Sequence, residues 1–151
     1  MIIFFYSGCS YWKLLSFKPP ELKSISRVTL KRATLSRAYL LVTVEVTNRN
    51  DFNTILKSAD YDIFLDGTYL GKGNNDSVQI MLKNSDSKLN FPVSVSLFDA
   101  LRNGLNFLNL IEGNQSLSYK AQGKAKVQVE GINNEFEVPF SIQNKVNTIR
   151  E

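Results

Sequence analysis

The feature that most constrains this chain is a strict two-residue alternation over residues 117–130. A period of two places successive side chains on opposite faces of an extended strand. Fourteen residues at 3.4 Å each would extend roughly 45 Å, a length that usually bends, and Gly123 is where a bulge is predicted. One face is apolar or small and the other is polar, which predicts a long half-buried strand; the apolar set is Leu117, Tyr119, Ala121, Gly123, Ala125, Val127 and Val129.

Shorter segments repeat the same pattern at residues 39–48, 57–65, 78–82, 91–97 and 136–142. In one of them Val78, Ile80 and Leu82 are predicted to share a buried face. Turn signals separate the segments, among them Asp66-Gly67 and residues 131–134. Clean alternation is typical of antiparallel sheets with one wet face. The pattern predicts an all-β fold, an antiparallel β-sandwich of the immunoglobulin or fibronectin III type with about seven strands.

One segment departs from period two. Phe98, Leu101, Leu105 and Leu108 recur at helical spacing, and Asp99 falls in the first turn, where a carboxylate suits the helix dipole. We therefore expect one short helix that caps an end of the core.

The composition limits the chemistry that this protein can perform. The chain has 151 residues, a net charge of +4, no histidine and a single cysteine, Cys9. It cannot carry a Ser-His-Asp or Cys-His pair, an intrachain disulfide or a cysteine-rich zinc site. We expect no enzymatic activity, no cofactor and no metal, and we interpret Asp60, Asp62 and Asp66 as a solvated strand face followed by a turn.

The residue patterns also bear on nucleic-acid binding and on nucleotide binding. Lys120, Lys124 and Lys126 line a strand face without interleaved aromatic residues, so no nucleic-acid partner is expected. The glycines of residues 67–73 fit neither a P-loop nor a dinucleotide fingerprint and predict a hairpin instead.

The N-terminal residues point to a membrane anchor. Six apolar residues, too few to span a bilayer, precede Ser7-Gly8-Cys9-Ser10. Ser7-Gly8-Cys9 resembles the bacterial lipoprotein processing box, in which the cysteine receives the lipid. We predict a signal-peptide remnant over residues 1–8, a lipidated tether over 9–20, a β-sandwich over 21–144 and a C-terminal tail over 145–151. The basic residues between positions 13 and 37 would add attraction to an anionic surface.

The body over residues 21–143 resembles the late embryogenesis abundant type 2 family, also called the water-stress and hypersensitive response domain. Asn48-Arg49-Asn50 is similar to the family's Asn-Pro-Asn, with arginine in place of the proline. Residues 65–73 resemble its glycine hairpin, 91–95 its central strand, and 119–123 and 137–140 its closing strands. The family-motif positions in this chain are Asn48, Asn50, Gly67, Gly71, Gly73, Pro92, Tyr119, Gly123 and Pro139.

The resemblance implies a β-sandwich with a small helix, no catalytic residues, no cofactor and an association with stress or desiccation tolerance. Bacterial members are often small lipoproteins, and Ser10 in place of aspartate favours the outer membrane, facing the periplasm. The resulting hypothesis is a monomeric, lipid-anchored envelope protein that binds or shields. Two alternatives stay open: a structural adaptor that pairs through a strand edge, and a carrier of a small apolar ligand with its pocket between the helix and a sheet.

Overall fold

The computed structural model of this chain describes residues 16–102 and 116–150. These residues form eight strands and one helix. The elements are β1 (Glu21–Ala33), β2 (Arg37–Asn48), β3 (Thr54–Leu65), β4 (Thr68–Asn75), β5 (Gln79–Met81), β6 (Ser85–Ser96), α1 (Leu97–Arg102), β7 (Ser116–Val129) and β8 (Glu135–Arg150).

Seven of these strands close into a barrel. Going round the ring, the order is β4, β6, β2, β1, β8, β7 and β3, and β3 pairs again with β4. The short β5 lies outside the ring and pairs with β3. Neighbours run antiparallel except β1 and β8, which are parallel.

The all-β class and the short helix are confirmed. The predicted sandwich is wrong, because the two sheets join along their edges and close into a barrel. A three-stranded sheet (β6, β2, β1) and a four-stranded sheet (β8, β7, β3, β4) meet along both pairs of edges. One seam has a single backbone pair, Lys72 with Ser94, and the other joins Val28–Leu30 to Thr148–Arg150. Alternation reports which face of a strand is buried, and it carries no information about which edges meet.

The core fills the barrel with the apolar faces that alternation predicts. In β7, Tyr119, Val127 and Val129 are buried, as the period-two pattern requires. The prediction for residues 78–82 is wrong: Met81 is 1% exposed, while Val78, Ile80 and Leu82 are 57%, 56% and 57% exposed. A three-residue strand outside the ring turns one side chain inward, and its sequence does not say which one.

Strand β1, which begins at Glu21, is not marked as a strand by any alternation in the sequence. Its register against β2 shifts between Leu22 and Ser24, between Ile25 and Arg27, and again after Leu30. Each shift resets the alternation, so that buried residues fall at irregular intervals.

Three further expectations are revised. β7 keeps a continuous register with both neighbours through Gly123, so there is no bulge at this residue. Residues 145–150 continue β8 instead of forming a tail. The helix is described over Leu97–Arg102, where Ala100 is buried, and positions 105 and 108 lie outside the described residues.

Candidate binding cleft and its clasp

A cleft opens where β1 and β8 separate. Backbone pairing between the two strands is confined to Val28–Leu30 and Thr148–Arg150, so within the described residues no strand pairs with the first half of either strand on this side. The Asn144 side chain bridges the two strands next to the cleft. Its Nδ2 donates to the Ile25 carbonyl at 2.9 Å, and its Oδ1 accepts the Ile25 N–H at 2.7 Å. The Asn144 side chain therefore takes the place of one pair of backbone hydrogen bonds between β1 and β8, and it limits the length of the cleft.

Behind this opening lies a cavity of about 320 Å³. Among the described residues that line it no side chain is charged, and Ser141 supplies the polar side chain. Such a cavity offers few partners to ordered water. The walls come from seven strands and include Leu22, Val46, Leu56, Met81, Phe91, Val127 and Phe140.

The β8 wall of the cleft is the most open. Its apolar side chains are only half-buried, although they lie on the inward face: Phe136, Val138, Phe140 and Ile142. They stay accessible because no strand in residues 16–102 or 116–150 covers the adjoining edge of β8. Pro139, a family-motif position, lies among them and also lines the cavity.

The chain segment before β1 crosses one end of the cleft. The Phe17 ring stacks on Phe136 with centroids 4.8 Å apart and planes 11° apart. Pro19 and Pro20 form part of the cavity wall. The last residues of the predicted tether therefore pack against the barrel.

This segment is held by a clasp that we define as Asn48 and Asn50. Asn50 Oδ1 accepts the Lys18 N–H and its Nδ2 donates to the Lys18 carbonyl, both at 2.8 Å. Asn48 orients Asn50, because Asn48 Oδ1 accepts from the backbone N–H of Asn50 at 3.0 Å and from its Nδ2 at 2.8 Å. Asn48 Nδ2 donates to the carbonyls of Met81 and Phe52 at 2.9 and 3.1 Å. The clasp joins the tether, the β2–β3 turn and β5.

The opposite seam, between β4 and β6, contains three other family-motif positions. A Cβ on Gly71 would lie 2.8 Å from the Ser94 carbonyl oxygen, and one on Gly73 would lie 2.1 Å from the Tyr61 ring. The Tyr61 hydroxyl donates to the Pro92 carbonyl across the seam at 2.5 Å. The two glycines let β4 approach β6 closely enough for the barrel to close.

The other motif glycines have different roles. Gly67, with Asp66, forms the two-residue β3–β4 turn at positive φ (83° and 49°), which glycine tolerates without strain. Gly123 has an ordinary φ but faces β3, where an added Cβ would lie 2.0 Å from the Asp60 carbonyl oxygen.

Tyr119 gives a test of the core that depends on pH. Its hydroxyl forms a buried hydrogen bond with Thr148, and burial raises the pKa of Tyr119 to about 12 from 10.0. The unfolded chain ionises this phenol first, so its contribution to stability is complete below pH 10 and is lost as the pH rises through about 12. We expect the free energy of unfolding to fall by about 3 kcal/mol over this interval from Tyr119 alone.

Urea unfolding at successive pH values measures this slope. Tyr119→Phe should unfold with a shallower decline above pH 10, since it has no phenol to ionise. A variant whose stability falls as steeply as the parent's would contradict the assignment. Burial also raises the pKa of Tyr61, so a residual decline is expected in the variant.

The remaining site expectations concern the anchor and the acidic residues. Cys9 lies outside the described residues. Asp60 accepts from Asn74 Nδ2 at 2.5 Å, and Asp66 accepts the Ser118 N–H at 3.1 Å, so both make local contacts. Within residues 16–102 and 116–150, no three acidic, cysteine or histidine side chains group closely enough to hold a metal ion. No helix in those same ranges has the length and apolar character to cross a bilayer.

Sequence reasoning missed Asn144, Gln79 and Phe17. Asn144 had a visible signal, because it is a polar residue in the inward series that runs from Phe136 through Ile142. The Gln79 side chain donates to the Asn90 carbonyl at 3.0 Å and accepts the Asn90 N–H at 2.8 Å. It strengthens the β4–β6 side of the barrel, as Asn144 strengthens the β1–β8 side. No local sequence pattern distinguishes Gln79 or Phe17 from its neighbours.

Together the fold and the cleft define a small closed β-barrel module whose interior is accessible through a gap between two parallel strands. The family model described as late embryogenesis abundant protein matches residues 43–144, about two thirds of the chain. This protein therefore belongs to the late embryogenesis abundant type 2 family.

Solved structures share the fold. The structure of a protein from Archaeoglobus fulgidus is similar with a TM-score of 0.55 and 16% identity, covering 85% of this chain and 98% of that one. The solution structure of AT1g01470 from Arabidopsis thaliana gives a TM-score of 0.57 and 19% identity, with 88% and 84% covered. A comparison with curated proteins finds no significant match.

Proposed function

We propose that this protein is a non-enzymatic, lipid-anchored envelope protein that binds an apolar molecule, of the size of one hydrocarbon chain, in the cleft between β1 and β8. The observation that carries this proposal is the cavity of about 320 Å³, with an open β8 wall and no charged side chain among the described residues that line it. Ligand pockets begin at about 300 Å³ and are mostly apolar. The carrier hypothesis placed its pocket between the helix and a sheet, but no described residue of α1 lines this cavity. The carrier function is therefore retained, and its pocket is assigned to the cleft.

The lining also limits the chemistry of the ligand. A charged group inside the cavity would lose its hydration without gaining a partner of opposite sign, which is strongly unfavourable. A hydrocarbon chain loses only ordered water and gains contact with aliphatic and aromatic side chains. We therefore expect a ligand whose polar group stays at the mouth.

Filling the cavity tests this proposal. Ala125 is small, buried and lines the cavity wall. Ala125→Phe should weaken binding of a fluorescent fatty acid by at least about tenfold, since the added ring occupies the space that the chain would use. The matched control is Ala33→Phe at an exposed position at the end of β1, which should bind as the parent does.

Thermal unfolding checks that both variants are folded. If Ala125→Phe does not fold, Val138→Lys places a charge on the half-buried β8 wall instead and should also weaken binding. Parent-like affinity in a folded cavity variant would overturn the proposal.

The anchor is proposed from Ser7-Gly8-Cys9, and its location at the outer membrane, facing the periplasm, from Ser10. The intact mass of protein extracted from native membranes should show a lipid-modified Cys9 as the first residue. An unmodified N terminus that begins at Met1 would refute the anchor and leave the cleft proposal standing. The role in stress or desiccation tolerance is tested by survival of a deletion strain after drying.

A strand-edge adaptor is the second candidate, favoured by the first halves of β1 and β8, which do not pair with each other. A partner strand added there would extend a sheet through backbone hydrogen bonds. Crosslinked cells should then give one partner in stoichiometric amount, and an extended strand should protect the amides of residues 136–142 from hydrogen exchange.

A further inference from the structure

An apolar edge lies on the outside of the barrel, away from the cleft. We define it as Val78, Ile80 and Leu82, which alternate along β5 and its flanks and are each more than half exposed. Ile80 pairs with Ile55 of β3, itself half-buried, so the apolar surface continues onto the barrel. Soluble proteins seldom leave three large aliphatic side chains together in water, and such patches mark contact sites.

The apolar edge lies at the end of the barrel where the tether enters. The Asn50 side chain holds Lys18, and the Asn50 carbonyl accepts the N–H of Asn84 at 3.0 Å. Asn53 Oδ1 accepts the N–H of Lys83 at 2.9 Å. Leu82 is next in sequence to Lys83, so the tether and the apolar edge are linked through one short turn.

This arrangement limits what the edge can contact. Ser16 is seven positions after Cys9, and a fully extended chain over seven steps spans at most about 25 Å. If Cys9 carries the anchor, which is part of the proposed function, this end of the barrel is the end held near the bilayer. Lys57 and Lys83 flank the edge, and Asp51 and Asp76 at the same end balance their charge, so contact with the bilayer depends on the apolar side chains.

We propose that Val78, Ile80 and Leu82 insert into the membrane interface and dock the barrel on the bilayer, with its tether end toward the lipid. Pairing with β3 satisfies the backbone groups on one side of β5, so the three aliphatic side chains are the main groups that would enter the interface. Docking adds a contact of the barrel itself to the attachment through Cys9, and so fixes which face of the barrel meets the bilayer.

The test removes the covalent anchor, so that it does not depend on the state of Cys9. Full-length Cys9→Ser protein is floated with vesicles of phosphatidylcholine and phosphatidylglycerol. Ile80→Asp in this background should weaken vesicle binding by at least about tenfold, because it loses the transfer of a large aliphatic side chain. The matched control is Leu35→Asp, at a fully exposed leucine in the β1–β2 turn, which should bind as the parent does.

A second readout reports insertion directly. An environment-sensitive fluorophore on Cys9→Ser/Ile80→Cys should shift to the blue with vesicles, and the same fluorophore on Cys9→Ser/Leu35→Cys should not. Equal flotation of Ile80→Asp and the parent, or no shift at position 80, would overturn the proposal. A dimeric parent that Ile80→Asp turns into a monomer, with flotation unchanged, would assign the edge to a second copy of the chain and also overturn it.

The cleft variant separates this proposal from the proposed function. Cys9→Ser/Ala125→Phe should float as well as its parent, because the apolar edge does not line the cavity. Loss of flotation in that variant would mean that lipid uptake into the cleft holds the protein on vesicles, which would refute docking through the edge.

Discussion

Gly123→Ala is expected to destabilise the barrel by about 3 kcal/mol or more, at the upper end of what overpacking costs. An added Cβ would lie 2.0 Å from the Asp60 carbonyl oxygen and 2.7 Å from the Tyr61 Cα. Both atoms belong to the backbone of β3, which pairs along most of its length with β7 and also with β4. The clash cannot be relieved by a side-chain rotation, so β7 and β3 must separate locally. Urea unfolding measures the change.

Gly131→Ala is the matched control. Gly131 has a φ of 84° but has no atom within 4 Å of an added Cβ, so alanine meets conformational strain without a clash. We expect it to cost about 1 kcal/mol. If Gly123→Ala lowers the free energy of unfolding by no more than Gly131→Ala does, then β3 and β7 are not as close as described. If Gly123→Ala is insoluble, Gly71→Ala, whose Cβ would lie 2.8 Å from the Ser94 carbonyl oxygen, gives a milder test of the same kind.

Asn48→Ala is expected to lower the free energy of unfolding by about 4 kcal/mol. Asn48 is fully buried, and its amide satisfies the carbonyls of Met81 and Phe52 and the backbone N–H of Asn50. Truncation leaves these groups without their partner, at about 1–3 kcal/mol for each one that stays buried. Asn74→Ala is the control, because Asn74 is exposed and its side chain bonds Asp60 at the surface, so its loss should be below about 0.5 kcal/mol.

The same variant should release the tether. Asn48 orients the Asn50 amide, and Asn50 bonds both backbone groups of Lys18. We expect the Lys18 amide to exchange its hydrogen much faster in Asn48→Ala than in Asn74→Ala. Unchanged protection at Lys18, or a stability loss below about 1 kcal/mol, would contradict the role of the clasp.

Part of the binding site could be anticipated from the sequence and part could not. The family resemblance marks Asn48 and Asn50, and it marks Gly71 and Gly73 together with the predicted hairpin, but neither assigns a contact to any of them. Their partners are distant in sequence: Asn50 meets Lys18, and Gly73 meets Tyr61 and Pro92. The cleft itself had no local signal, because it depends on where β1 and β8 stop pairing.

The sequence by itself determined the buried faces of β7 and β8. In β7 and β8 the period of two follows from the geometry of an extended chain, and one buried face requires apolar residues at every second position. It also determined the turn at Asp66-Gly67, since positive φ at both residues depends on local sterics.

Only the tertiary structure decided the closure, the cleft and the outward orientation of Ile80. Edge pairing is made by backbone groups that are alike at every residue, so side-chain patterns do not specify which strands become neighbours. The bulges of β1 and the position of β5 outside the ring are consequences of that pairing. For the same reason the gap between β1 and β8, and the apolar edge beside the tether, become visible only when the whole barrel is assembled.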